Sequence, residues 1–137
     1  MNVKIVDISE KLLDGYKVLV QVDSSQFIAE WDGDKPEKNE NYNVEIDIDD
    51  EFIWNTNIAF SDENANAIIQ NDEGFKVIAK LDYNSEDNLA TLNVYDSIVL
   101  IDIEGIEQDI ANEWVEMQCN ALQLNYLIPI YNRNQIQ

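Results

Sequence analysis

A chain of 137 residues that is 45% hydrophobic and 9% aromatic can bury a core without disulfides or metal, which excludes a permanently disordered chain despite its charge. Eight basic residues stand against 28 acidic ones, a net charge of −20, and such a field repels DNA, RNA and anionic lipid, because phosphate binding depends on Lys and Arg. Apolar runs are too short for a membrane span or a secretory leader, and the single Cys119 excludes an internal disulfide, so the expectation is a soluble, cytoplasmic protein with Cys119 buried and inert.

Along the chain, period-two alternation recurs and helical periodicity is scarce. Val3 and Ile5 mark a first strand, and residues 12–15 turn the chain into a second over 16–22. A short strand over 27–31 precedes a loop over 32–39, exposed by its Gly, Pro and charges. Next come Tyr42, Val44, Ile46 and Ile48 on one face, with Asn43, Glu45, Asp47 and Asp49 on the other. Asp49, Asp50 and Glu51 break the period, so residues 42–54 read as one long strand, bent or bulged ahead of Phe52 and Trp54.

Residues 55–66 are polar and read as the connection between two halves, with 65–70 a helical turn or a short strand. Alternation resumes through Phe75, Val77, Ala79, Leu81 and Tyr83, and a hairpin loop over 84–88 leads to strands over 89–95 and 98–103. Ile106 and Ile110 are four apart and suggest a helical turn over 106–112. Residues 114–124 are again extended, and the tail, 129–137, is expected to fray.

Similar features recur about 71 or 72 residues apart: Gly33 and Gly105, Tyr42 and Trp114, and the run 44–46 with the run 115–117. The expected fold is therefore mostly β, an antiparallel barrel or sandwich. It reads as two duplicated units resembling small oligonucleotide-binding barrels, over 1–58 and 67–128, with at most a short helix.

Chemistry is constrained by what is missing. With no histidine, the usual general base, the commonest metal ligand and every Ser-His or Cys-His pair are removed. The four glycines are not spaced as a phosphate-binding loop requires, and the acidic groups at 47–51 and 32–34 do not follow a calcium loop. No enzyme activity, cofactor or metal is expected. Among so many acids, a carboxylate pair suited to sugar hydrolysis arises by chance.

The constellation that remains is an acidic ridge of Glu45, Asp47, Asp49, Asp50 and Glu51. Like charges along one strand repel, so a basic protein partner is expected to face them. Tyr42 or Trp54 would serve as the aromatic anchor, although core packing is the ordinary fate of Trp31, Trp54 and Trp114. Three functions fit: an immunity-type inhibitor of a basic nuclease-like toxin, a nucleic-acid mimic blocking a DNA-binding protein, or a structural β module whose acidity serves solubility. The first is preferred, as a monomer or small dimer.

Overall fold

The computed structural model describes residues 1–127, and these form twelve strands and no helix. Four strands open the chain: β1 (Asn2–Leu12), β2 (Gly15–Val22), β3 (Ser25–Asp32) and β4 (Asn41–Asp47). Three short ones follow, β5 (Glu51–Ile53), β6 (Ile58–Phe60) and β7 (Ala67–Asn71). The rest are β8 (Gly74–Asn84), β9 (Leu89–Val94), β10 (Ser97–Glu104), β11 (Ile110–Cys119) and β12 (Gln123–Tyr126).

The strands make two barrels. The first is closed in the order β1-β2-β3-β12-β4, and the second runs β5-β10-β9-β8-β11-β6, with β7 paired to one end of β8. A single bridge, Trp54 to Ile58, links β5 to β6, so the second barrel is nearly closed. In the first barrel the third and last strands, β3 and β12, are parallel, and its other pairings are antiparallel. Order and polarity are those of the oligonucleotide-binding type of barrel, an architecture that implies no function by itself.

Each barrel takes its fifth strand from across the chain. β12 follows the fourth strand of the second barrel but is hydrogen-bonded between β3 and β4 of the first. β5 follows the fourth strand of the first barrel but pairs with β10 of the second. The registers repeat: Glu30, Trp31 and Asp32 face Gln123, Leu124 and Asn125, while Asp102, Ile103 and Glu104 face Glu51, Phe52 and Ile53. Adding 72 to the third-strand residues of the first barrel gives those of the second, and adding 72 to the fifth-strand residues of the second barrel gives those of the first. The second hairpin of each barrel obeys the same shift, Val22 with Ser25 and Val94 with Ser97. So do the glycines that leave the third strands, Gly33 at φ 107° and Gly105 at φ 89°.

Several local expectations are corrected by this exchange. Residues 42–54 are not one bent strand but two, β4 and β5, in different barrels, because the break at 48–50 is where the chain crosses. Residues 114–124 divide in the same way between β11 and β12, and Gln123–Tyr126, counted by sequence with the second unit, pair in the first barrel. Residues 106–112 hold no helical turn: Gly105, at φ 89°, opens an irregular loop that enters β11 at Ile110, and Asn112, at φ 55°, lies in a bulge of β11 between Ile110 and Glu113. Residues 65–70 fall to the strand alternative, β7, and the polar connection hides β6. The tail expectation, 129–137, lies outside the described residues.

One buried cluster runs through both barrels, from Met1 to Leu124. The alternating residues read from sequence supply it: Val44 and Ile46, Val77 and Leu81, Val115 and Met117 are all at most 3% exposed. Burying each such side chain is worth about 1.5–3 kcal/mol. Phe27 meets Phe75 across the seam between barrels, edge to face at 5.9 Å between ring centroids. Gln70 Oε1 of β7 accepts a hydrogen bond from Ile28 N of β3 at 2.9 Å, so the β7–β8 hairpin lies against the first barrel.

Candidate partner-binding surface

Two crossings put the carboxylates where they are. Residues 48–50 and 120–122 carry the chain from one barrel to the other, and they run together: Asn120 N donates to Asp50 Oδ2 at 3.0 Å. A groove of about 260 Å³ lies along this seam, lined by Glu30, Asp47, Asp49, Asp50, Asn120, Ala121 and Gln123. Asp47 and Asp49 are exposed because Ile46 and Ile48, on the opposite face of the same segment, are buried. Asp47 Oδ2 accepts a hydrogen bond from Asn125 Nδ2 of β12, which leaves the carboxylate anchored to the exchanged strand.

Glu30 is the member that sequence reasoning missed. It belongs to β3, 17 residues before Asp47, and reaches the groove because both residues face Gln123, from opposite sides of β12. No local pattern marks it, since the pairing depends on a strand more than 90 residues away in sequence. Like charges so placed repel one another, and among the described residues only the single hydrogen bonds to Asp47 and Asp50 offset this within the fold. Among the described residues three ion pairs form, Lys17 with Glu10, Lys38 with Asp7 and Lys76 with Glu116, and none involves a groove carboxylate.

The other ridge residues are dispersed around this centre. Glu45 shares the outer face of β4 with Asp47, opposite Asn125. Glu51 belongs to the second barrel, where it faces Asp102 of β10. Tyr42 projects from the other face of β4 into an aromatic cluster with Trp31 and Tyr126, at centroid distances of 5.1 and 5.0 Å, and its hydroxyl accepts from Glu37 N at 2.8 Å. Trp54 lies beyond β5, half-buried and edge to face with Phe60 at 4.9 Å. The structure thus brings Asp47, Asp49 and Asp50 together, adds Glu30, and sets Tyr42, Glu51 and Trp54 apart from them.

Chemically, the groove offers negative charge and carbonyl or amide dipoles. Cys119, the chain's one cysteine, is 1% exposed, and burial together with the charge of Asp50 pushes its thiol up to about 12. A thiol so held is neutral and unreactive. Among the described residues no group of three or more His, Cys, Asp or Glu is arranged to hold a metal ion, and no helix is long and apolar enough to cross a membrane. No protein family, curated protein or solved structure matches the chain.

Proposed function

We propose that this protein is a non-catalytic acidic inhibitor, of the immunity type, that neutralises a basic nuclease-like protein by covering its cationic surface. One observation supports this above the rest: the two chain crossings gather Glu30, Asp47, Asp49 and Asp50 around one open groove that, among the described residues, no Lys or Arg lines. Such a surface steers a cationic partner over long range and discriminates against acidic ones, acting on association rate more than on residence time. Glu45 and Glu51 extend the field on either side of the groove, one on each barrel.

The test is capture from a lysate of the source organism at low salt, followed by kinetics on the purified partner. The expected partner is one basic nuclease, bound in stoichiometric amount. Its association rate should fall at least tenfold between about 20 mM and 500 mM salt, and should fall again for the Asp47→Asn/Asp49→Asn variant. Capture of a DNA-binding protein without nuclease activity would point to mimicry of nucleic acid instead. A partner whose binding ignores both salt and the double substitution would contradict the acidic surface as the contact.

A further inference from the structure

The incomplete closure of the second barrel leaves a second surface. Two adjoining hollows, of about 420 and 390 Å³, share Gln108 and Ile110. Phe60 and Trp114 line the first and Trp54 the second, and Trp54 and Phe60 touch edge to face. Phe60 is 50% exposed and both tryptophans are half-buried, so three aromatic rings of one barrel end reach solvent together. Carboxylates stand among them: Glu107 in one hollow, Asp109 and Glu113 in the other.

We infer that this aromatic and acidic groove receives a lysine or arginine side chain of the basic partner. The inference rests on the proposed function for the identity of the partner, but it names a different surface. Ring faces carry negative potential and attract a cation that remains partly hydrated. The chain already uses one ring in this way: Lys80 Nζ lies 5.2 Å from the centroid of Trp114 and takes one face of it, which leaves Trp54, Phe60 and the other face of Trp114 for the incoming cation. Charge decides between occupants. Nucleic-acid bases also stack on exposed aromatics, but they arrive with phosphates, which Glu107, Asp109 and Glu113 repel. Ser85 holds Asp109 ionised: its N and Oγ donate to Asp109 Oδ1 at 2.8 and 2.7 Å, and these bonds lower the carboxyl's pKa.

The three tryptophans make the test direct, because Trp31 is buried in the other barrel and serves as an internal reference. The full-length protein, labelled with nitrogen-15, is titrated with a twelve-residue peptide of lysine, serine and glycine and, separately, with the same peptide acetylated at every lysine. The indole signals of Trp54 and Trp114 are expected to move with the first peptide, with Trp31 still and the acetylated peptide silent. Phe60→Ala and, independently, Glu113→Gln should each weaken binding about two- to fivefold. Binding that leaves both indoles unmoved and depends on Asp47 and Asp49 would overturn the groove while sparing the proposed function. An equal response to the acetylated peptide would overturn it in favour of an apolar ligand, concentration-dependent dimerisation abolished by Phe60→Ala would overturn it in favour of a second copy, and no response to either peptide would overturn it outright.

Discussion

The two barrels follow one plan, and the first closes where the second stops short. In the first, β12 is hydrogen-bonded on both sides, to β3 and to β4. In the second the corresponding role is divided: β5 pairs with β10, and β6 pairs with β11. The parallel register with the third strand is the same in both, so the difference comes from the fourth. Val3 faces Tyr42 in the first barrel, and a shift of 72 would set Phe75 opposite Trp114, yet it faces Cys119, five residues further on. With the fourth strand slid along, the fifth cannot meet both neighbours as one straight segment. It breaks at 54–57 into a turn tied by Asn57, whose side chain accepts from Ile53 N at 2.7 Å and donates to Glu51 O at 2.9 Å.

That break is what separates Trp54 from its counterpart in the first barrel, Tyr126, which stacks on Trp31. Closure buries Trp31, at 2% exposure, beneath Tyr42 and a Tyr126 that stays 42% exposed, whereas in the other barrel Trp54 and Phe60 meet with neither ring buried. The exchange of fifth strands has the opposite, unifying effect: both crossings pass the seam, and the acidic groove exists only because they do.

Substitutions at equivalent positions of the two exchanged strands would break the comparison most severely. Phe52 and Leu124 are 1% and 0% exposed and lie 72 residues apart. Phe52→Ala should cost about 3–5 kcal/mol and Leu124→Ala about 2–5 kcal/mol in denaturant unfolding. Similar losses would mark the two strands as equivalent closures; a much smaller loss for Phe52→Ala would mean that the divided strand contributes less than the continuous one.

Backbone strain gives the next largest effect. Gly74 opens β8 at φ +123°, and a Cβ there would lie 2.1 Å from the carbonyl oxygen of Cys119. Gly33, at φ +107°, has nothing within 4 Å of such a Cβ. Gly74→Ala should therefore lower stability by more than the roughly 1–3 kcal/mol of a left-handed backbone alone, with Gly33→Ala staying within that range when both are measured by chemical denaturation.

Alkaline pH should weaken the seam in a graded way. Burial raises the pKa of Cys119 to about 12, and burial likewise raises that of Tyr95, so both groups are folded in their neutral forms. The sign follows directly: for a raised pKa the stabilisation is full below the unfolded value and is lost as pH climbs through the folded one. Stability should hold to about pH 9 and decline towards about 12, and Cys119→Ala should flatten part of that decline in urea midpoints measured against pH.

The smallest effect belongs to the acidic groove. Asp47→Asn/Asp49→Asn should change unfolding free energy by no more than about 0.5 kcal/mol, or raise it slightly, because like charges are relieved and Asn retains an acceptor for Asn125. A large loss of stability in the same assay would mean that the carboxylates serve the fold.

What sequence could and could not show divides along the same line. Alternation identified the core of nearly every long strand, since Val44, Ile46, Val77 and Met117 report a period that local sterics impose. The spacing of Gly33 and Gly105 carried the repeat, because both positions need a left-handed backbone. The exchange left no such mark. A strand shows in sequence which of its faces is buried but not which partner buries it, so β5 looked like the end of β4 and β12 like the end of β11. Short strands fared worst, and β6, three residues within a polar stretch, offered no period to detect. Asp47, Asp49 and Asp50 were legible as a local run of charge. Glu30 was not, since it joins them through pairing with β12 alone.

The exchange itself is tested most directly by hydrogen exchange of individual amides in the Leu124→Ala variant. Leu124 belongs by sequence to the second half and by pairing to the first barrel. The amides of β1 to β4 should lose protection while those of β8 to β11 retain it. Loss of protection confined to β8 to β11 would contradict the exchanged topology, and with it the origin of the acidic groove.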